Sequence, residues 1–297
     1  MALKDFCDRL RQSGYTATAI CAALDVESLQ SLESTYFHYY DRFSLPQTEL
    51  GDFIRLFLLR SSLPKARMVE LLGDSLFQRL VDLGLFIRRS VQSVKQRVEQ
   101  DESSAIQPNS SSDMQWAARV DLFCVEGLYI ATDHRYMFFE EDKIGEDPVM
   151  YLGADSMGLV YTAPQYLANQ VLDLCCGSGV QGLVASRYAE QVTSVDINPR
   201  AVRFSRFNAQ LNGILNINIH LGGLYEPVAQ RTFDTILANP PFVPSPNTDL
   251  RFRDGGNTGE DILADIIKGS DSHLTQNGRL FIVTDLVNVP TYQAKLS

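Results

Sequence analysis

The chain has 297 residues, enough for two compact domains, and its 45% apolar and 21% charged content is typical of globular proteins. It has no long apolar run and no charged start followed by an apolar core, so we expect neither a membrane span nor a secretory signal. The formal net charge of −10 argues against a protein that grips nucleic-acid phosphates over a broad basic surface.

The cysteines indicate a reducing environment. They are odd in number, five, and show no C-x-x-C spacing: Cys7, Cys21, Cys124, Cys175 and Cys176. This pattern is typical of free thiols rather than of a disulfide framework, and no histidine stands near a cysteine pair to complete a metal site. We therefore expect a cytoplasmic protein without a bound metal.

Residues 1–149 are predicted to form a mostly helical first domain. Helical patterns cover residues 3–13, 16–23, 26–39, 47–60, 64–72 and 75–83. An aromatic stripe in the third pattern is expected to pack into a helix core rather than to serve as a stacking platform. It consists of Tyr36, Phe37, Tyr39 and Tyr40.

Strands are predicted to complete this first domain. A strand at 85–89 precedes a polar stretch, 101–115, that is predicted to be a disordered insertion. Strands at 118–123 and 126–132, joined at Gly127, follow it. Two helices, a strand, a long tip and a strand are typical of a winged helix, which either binds nucleic acid or packs against protein. The acidic net charge favours the second interpretation.

Residues 150–297 are predicted to form a second domain of a different class. The predicted strands are 171–174, 192–197, 217–221, 233–238 and 279–286, and the predicted helices are 180–188, 199–211 and 259–274. Strands that alternate with helices predict an α/β fold, a parallel sheet covered on both faces. Asn198 is expected to cap the second helix, with Pro199 at its first position.

A glycine-rich turn follows the first strand of this domain. Gly177 and Gly179 allow a ligand to approach the backbone, and the helix that follows offers free N–H groups. Asp196 ends the second strand, where a carboxylate can accept hydrogen bonds from both hydroxyls of a ribose. The segment therefore predicts a nucleoside-containing cofactor at the carboxyl edge of the sheet.

Two cofactors fit this turn. With Gly182, its glycines match the G-x-G-x-x-G pattern of NAD-dependent oxidoreductases. Asp173, at the end of the strand, would repel a pyrophosphate but suits the ammonium group of a methionyl moiety. We therefore favour S-adenosylmethionine and keep an NAD-dependent oxidoreductase as an alternative.

The sequence Asn239-Pro240-Pro241-Phe242 comes directly after the strand at 233–238. The side-chain oxygen of Asn239 and the carbonyl of Pro240 can accept both hydrogens of one planar NH₂ group, and Phe242 can stack on its flat face. Such a site works chiefly by positioning. It predicts methylation of an amine or amide nitrogen, on a protein glutamine or an RNA base. The other alternative is a cofactor-binding protein without turnover.

Residues 171–182, 195–201 and 239–242 resemble the three hallmark motifs of class I S-adenosylmethionine-dependent methyltransferases. More narrowly, they resemble the "small domain" group, which includes release-factor glutamine methyltransferases and guanine-N2 ribosomal RNA methyltransferases. Residues 253–256 are similar to a segment of the glutamine enzymes. The order of elements in the first domain resembles bacterial proteins that fuse a winged-helix-like domain to such a methyltransferase.

The resemblance implies a Rossmann-like sheet and assigns site residues. The implied cofactor-binding residues are Asp173, Cys175, Gly177, Gly179, Asp196, Ile197 and Asn239. The implied catalytic residues, which hold a protein or RNA acceptor, are Asn239, Pro240 and Phe242.

The chain departs from the family pattern at three places. Cys175 replaces the usual first glycine of the turn, and Gly222-Gly223 stands where a polar side chain often contacts the adenine. Residues 287–297 are too few for the antiparallel pair that normally ends the fold, so we expect a sheet that stops after the fifth strand, as in a fragment or a shortened form.

Overall fold

The chain folds as two compact units, Met1–Ile144 and Gly145–Ser297. The computed structural model describes residues 2–90, 114–136, 147–244, 253–254 and 260–285. The predicted insertion at 101–115 lies outside the described residues except for Met114 and Gln115, which begin a strand. No helix in the described ranges is long and apolar enough to cross a membrane.

The described residues of the first unit form five regular helices. They are α1 (Ala2–Gln12), α2 (Ala17–Leu24), α3 (Glu49–Phe57), α4 (Lys65–Leu72) and α5 (Asp74–Asp82). The hydroxyl oxygens of Thr16 and Thr48 cap α2 and α3 by accepting backbone N–H groups of the first turn.

The continuous helix predicted at 26–39 is wrong. The segment forms short 3₁₀ turns at Leu29–Ser31 and Ser34–Tyr36, followed by one α turn, Phe37–Tyr39, and a π-helical turn, Tyr40–Ser44. The backbone is extended at the residues Leu32 and Glu33, because Leu32 is buried there. Tertiary packing thus overrides the helical pattern.

The aromatic stripe in this segment was also predicted wrongly in part. Phe37 is buried, whereas Tyr36 and Tyr39 are each more than half exposed. The broken helix points these two rings outward, because no continuous helix face gathers the four aromatic residues on one side.

In the part of the first unit that the structure describes, five strands accompany these helices. The strands β1 (Ser62–Leu63), β2 (Phe86–Ser90) and β3 (Met114–Ala118) form an antiparallel sheet in the order β1-β3-β2. The strands β4 (Asp121–Val125) and β5 (Leu128–Thr132) form a hairpin. The strand predicted at 118–123 is therefore wrong in its bounds, because the chain turns at residues 119–120 between β3 and β4. The winged-helix assignment stays a prediction.

The second unit is an α/β domain, as predicted. Its elements are α6 (Ala154–Thr162), β6 (Ala168–Leu174), α7 (Val180–Ala185), β7 (Ala189–Asp196), α8 (Pro199–Asn212), β8 (Ile217–Leu221), β9 (Phe233–Ala238), α9 (Asp261–His273) and β10 (Leu274–Ile282). All neighbouring strands are parallel, in the order β10-β9-β6-β7-β8. The parallel α/β sheet confirms the predicted Rossmann-like fold class.

Alternating apolar residues cover both faces of this sheet. Leu172 and Ile236 pack with Ile266 of α9 on one face, and Val171 and Val192 pack with Ala185 of α7 on the other. Burial on both faces explains why the strands are nearly continuous apolar runs.

The strand order places the site. The chain starts in the centre with β6, moves outward through β7 to β8, and then returns to the other side of β6 with β9 and β10. The direction of strand order reverses between β6 and β9, and ligands of open α/β sheets bind outside the carboxyl ends of the strands at such a point. The glycine turn follows β6 and Asn239 follows β9, so both lie at this crevice.

Candidate active site

A cavity of about 490 Å³ lies at the carboxyl ends of β6, β7 and β9, within the second unit. This volume is typical of small-molecule sites. Five of the residues predicted to bind cofactor line it: Cys175, Gly177, Asp196, Ile197 and Asn239. The described residues contain no cluster of histidine, cysteine and acidic side chains suited to a metal ion.

The glycine turn approaches the cavity with its backbone. Gly177 and Gly179 have φ angles of 54° and 83°, in the left-handed region that glycine tolerates best. A Cβ on Gly179 would collide with the hydroxyl of Ser205, so this glycine allows close packing against α8. A Cβ on Gly177 would meet no protein atom within 4 Å, so a side chain there would enter space that a ligand can use.

Cys175 stands in the same backbone conformation without being a glycine. Its φ angle is 55°, and its side chain packs against the core beside β6 while lining the cavity. A left-handed conformation costs an ordinary L-residue about 1–2 kcal/mol. The departure from the family pattern noted at this position therefore carries backbone strain.

Asp196 ties the glycine turn to β7. Its Oδ2 accepts the N–H of Gly177 at 2.8 Å, and its Oδ1 accepts the N–H of Asn198 at 2.8 Å. Burial raises the pKa of this carboxyl, while the backbone N–H donors act in the opposite direction. The carboxylate is thus held at the cavity wall in one orientation.

Asn198 extends this connection. Its Oδ1 caps α8 by accepting the N–H of Arg200 at 2.8 Å, as predicted. Its Nδ2 donates to the carbonyl of Asp147 at 3.0 Å, at the start of a strap in which Pro148, Val149 and Met150 line the cavity. One side chain therefore links a helix cap to the cavity wall.

Asp173 is not among the residues that line the cavity, so its direct contact with a cofactor stays a prediction. Its side chain turns beneath the glycine turn, where Oδ2 accepts the N–H of Gly182 at 2.9 Å and the hydroxyl of Ser194 at 3.4 Å. It is 1% exposed, and burial raises its pKa from 3.8 to about 7. Asp173 thus anchors the start of α7 to β6.

Asn239 lines the cavity with a fixed amide. Its Nδ2 donates to the hydroxyl of Ser156 at 3.0 Å and to Oδ2 of Asp155 at 3.3 Å, both in the first turn of α6. These two contacts fix the orientation of the amide. Among the described residues no donor reaches the Asn239 Oδ1, so this oxygen remains as an acceptor.

The rest of the Asn-Pro-Pro-Phe segment differs from the expectation. Pro241 lines the cavity, whereas Pro240 is buried and Phe242 is half-buried, and neither contributes to the lining. Two prolines in succession stiffen the turn and leave alternate residues facing the cavity. Contact of Pro240 and Phe242 with an acceptor stays a prediction.

Sequence reasoning missed three polar residues of the site. Asp155 and Ser156 carry no motif and lie more than eighty positions from Asn239 in the chain. Asp254 lines the cavity with a side chain that is 1% exposed and accepts from Nε of Arg253 at 2.9 Å. The similarity of residues 253–256 to a segment of the glutamine enzymes is the sequence signal for Asp254.

Comparison with known proteins agrees with this geometry. Residues 153–291 match the family model described as "methyltransferase small domain". A release factor glutamine methyltransferase from Thermodesulfovibrio yellowstonii is 29% identical over 38% of this chain and 46% of its own length. A putative protein N5-glutamine methyltransferase from Methanocaldococcus jannaschii is 33% identical over 46% of this chain and 72% of its own length.

A third relative acts on RNA by its name. The ribosomal RNA small subunit methyltransferase C of Erwinia tasmaniensis is 30% identical over 50% of this chain and 43% of its own length. For two of these three relatives, the matched segment spans about half of the protein or less.

Two substitutions at Cys175 separate backbone strain from lost side-chain contacts. Glycine and alanine both remove the thiol, but only glycine adopts a φ angle of 55° without a steric cost. We expect the free energy of unfolding of Cys175→Gly to exceed that of Cys175→Ala by about 1 kcal/mol, measured by urea denaturation. Cys176 has a negative φ angle, so there we expect the alanine variant to be more stable than the glycine variant. Equal stability of the two Cys175 variants would contradict the strain.

Proposed function

Because the chain belongs to the methyltransferase small domain family of S-adenosylmethionine-dependent methyltransferases, we propose that it transfers a methyl group to a planar nitrogen. The observation that carries this proposal is the shared cavity: Asp196, placed to bind a nucleoside, and Asn239, placed to accept an N–H group, line the same 490 Å³ space. Family membership also disfavours the NAD-dependent alternative.

The residues of the cavity fit S-adenosylmethionine. The Asp196 carboxylate suits the ribose hydroxyls, Gly177 leaves open space at the turn, and Ile197, with 61% of its surface exposed, offers an apolar face to a base. When bound, this cofactor supplies a methyl group on a positively charged sulfur. Gly223 and Leu224 also line the cavity, and since neither has a polar side chain, we assign no side chain there to recognition of the adenine.

The acceptor side depends on the orientation of one amide. Ser156 and Asp155 hold the nitrogen of Asn239, so its oxygen is available to an N–H group of the acceptor. An accepted N–H fixes the direction of the acceptor's lone pair. Since a contact with a carboxylate polarises the amide, Asp155 also makes the Asn239 oxygen a better acceptor. Positioning of this kind is the chief catalytic contribution that we assign to the chain.

We rank a protein glutamine amide first among acceptors and an RNA base amine second. Relatives named as glutamine methyltransferases support the first choice, as do the acidic residues Asp196 and Asp254 in the cavity wall and the net charge of −10, which disfavour phosphates. The relative named as a ribosomal RNA methyltransferase supports the second choice. All five cysteines are free thiols, which supports the proposal of a cytoplasmic enzyme.

Transfer of a labelled methyl group tests the proposed function. The protein is incubated with methyl-labelled S-adenosylmethionine and, separately, with total protein and total RNA of the source cell, with Asn239→Ala as the control. We expect label in the protein fraction, recovered as N5-methylglutamine after proteolysis. Label only in the RNA fraction would contradict a glutamine acceptor and support an RNA base amine instead. Label in neither, with cofactor binding intact in calorimetry, would contradict transfer and support the binding protein without turnover.

A kinetic comparison tests the role of Asp155. We expect Asp155→Ala to lower kcat about tenfold and Asn239→Ala about a hundredfold, with cofactor affinity nearly unchanged in both. Asp261→Ala is the matched control, because Asp261 is also an acid in a first helical turn but lies on α9.

The double variant shows whether Asp155 acts through Asn239. If it does, adding Asp155→Ala to Asn239→Ala should lower kcat no further. Additive losses, or a loss of cofactor affinity equal to the loss of kcat, would contradict the positioning role.

A further inference from the structure

An exposed aromatic surface lies on the first unit, between α2 and α3. Tyr36, Tyr39 and Phe43 are 52%, 56% and 68% exposed. Tyr40 connects them, since the ring centroids of Tyr36 and Tyr40 lie 6.3 Å apart, those of Tyr39 and Tyr40 6.2 Å, and those of Tyr39 and Phe43 5.6 Å. We call these four residues the aromatic platform. Exposed apolar rings that lie together on a surface commonly mark interaction sites.

Buried contacts hold the platform in place. Arg55 of α3 is 5% exposed and donates from Nε to the Asp41 carboxylate at 2.6 Å and from Nη2 to the carbonyl of Leu45 at 2.9 Å. Phe37 packs edge-on against Tyr136, with centroids 5.6 Å apart. The rings are therefore exposed on a fixed backbone. The backbone of the platform includes the π-helical turn Tyr40–Ser44, and π-helical turns are frequent at functional sites.

Two carboxylates, those of Glu33 and Asp25, act electrostatically on Tyr40 of the platform, and both residues are exposed. Burial chiefly raises the pKa of Tyr40, and the neighbouring Tyr36, Glu33 and Asp25 raise it further. Within the described residues neither carboxylate has a cationic partner. Free carboxylates repel phosphate groups and attract guanidinium and ammonium groups.

The rings themselves suit cations. Guanidinium groups bind to the faces of aromatic rings, and the platform shows one such contact already, since the guanidinium carbon of Arg42 lies 5.6 Å from the centroid of Phe43. Rings and carboxylates together therefore favour a basic polypeptide over a nucleic acid, whose phosphates would face Glu33 and Asp25.

We propose that the aromatic platform, with Glu33 and Asp25, binds an arginine- or lysine-rich polypeptide segment. The cationic side chains lie on the faces of the rings and pair with the two carboxylates. This surface would recruit a basic partner protein to the first unit. It does not depend on the methyl-transfer chemistry proposed for the second unit, so either proposal can fail without the other.

Peptide binding to the whole protein tests the proposal. The probe is a short, fluorescein-labelled peptide of alternating arginine and glycine, followed by fluorescence anisotropy. We expect the combined variant Tyr36→Ala/Tyr39→Ala/Phe43→Ala to weaken binding about tenfold or more and the isosteric Glu33→Gln about threefold. The matched control is Tyr161→Ala/Tyr166→Ala, which removes two comparably exposed rings of the second unit and should leave binding unchanged.

Two further measurements complete the test. Thermal unfolding and calorimetric binding of S-adenosylhomocysteine should be unchanged in the platform variants, which separates loss of docking from loss of folding. Equal binding of the peptide by wild type and the platform variant would overturn the proposal. Tighter binding of single-stranded oligouridine than of the peptide, lost in the same variant, would overturn it in favour of a base-stacking surface.

Discussion

The candidate active site depends on the two hydrogen bonds that the Asp196 carboxylate accepts from the backbone. One of its oxygens holds the N–H of Gly177 and the other holds the N–H of Asn198, so the turn after β6 and the start of α8 share one anchor. Asn198 passes this connection to the strap that begins at Asp147. Since each of these segments forms part of the cavity wall, we expect a substitution of Asp196 to shift the glycine turn, the start of α8 and the strap together.

The acceptor side is built on a second, separate anchor. α6 holds the amide of Asn239 through Asp155 and Ser156, and it has no part in the contacts of Asp196. The strand order brings the two anchors together, because β6 and β9 are neighbours although β7 and β8 lie between them in the chain. A parallel sheet whose strand order reverses at its centre thus places a nucleoside site beside an amide acceptor.

Much of this arrangement could be predicted from the sequence, because it depends on short-range patterns. The strands Ile217–Leu221 and Phe233–Ala238 and the cap at Asn198 were predicted at their observed bounds. Contacts between distant segments could not be predicted. The alternation of a strand does not show that Asp173 turns beneath Gly182, and no local signal links Asp155 to Asn239. The helix predicted at 26–39 failed for the same reason, since burial of Leu32 is decided by tertiary packing.

A crystal structure with S-adenosylhomocysteine tests the central claim most directly. We expect the ribose hydroxyls within hydrogen-bond distance of the Asp196 carboxylate and the sulfur on the side of the cavity where the Asn239 oxygen lies. A nucleoside bound outside this cavity, or a sulfur directed away from Asn239, would contradict the claim that the two anchors serve one reaction.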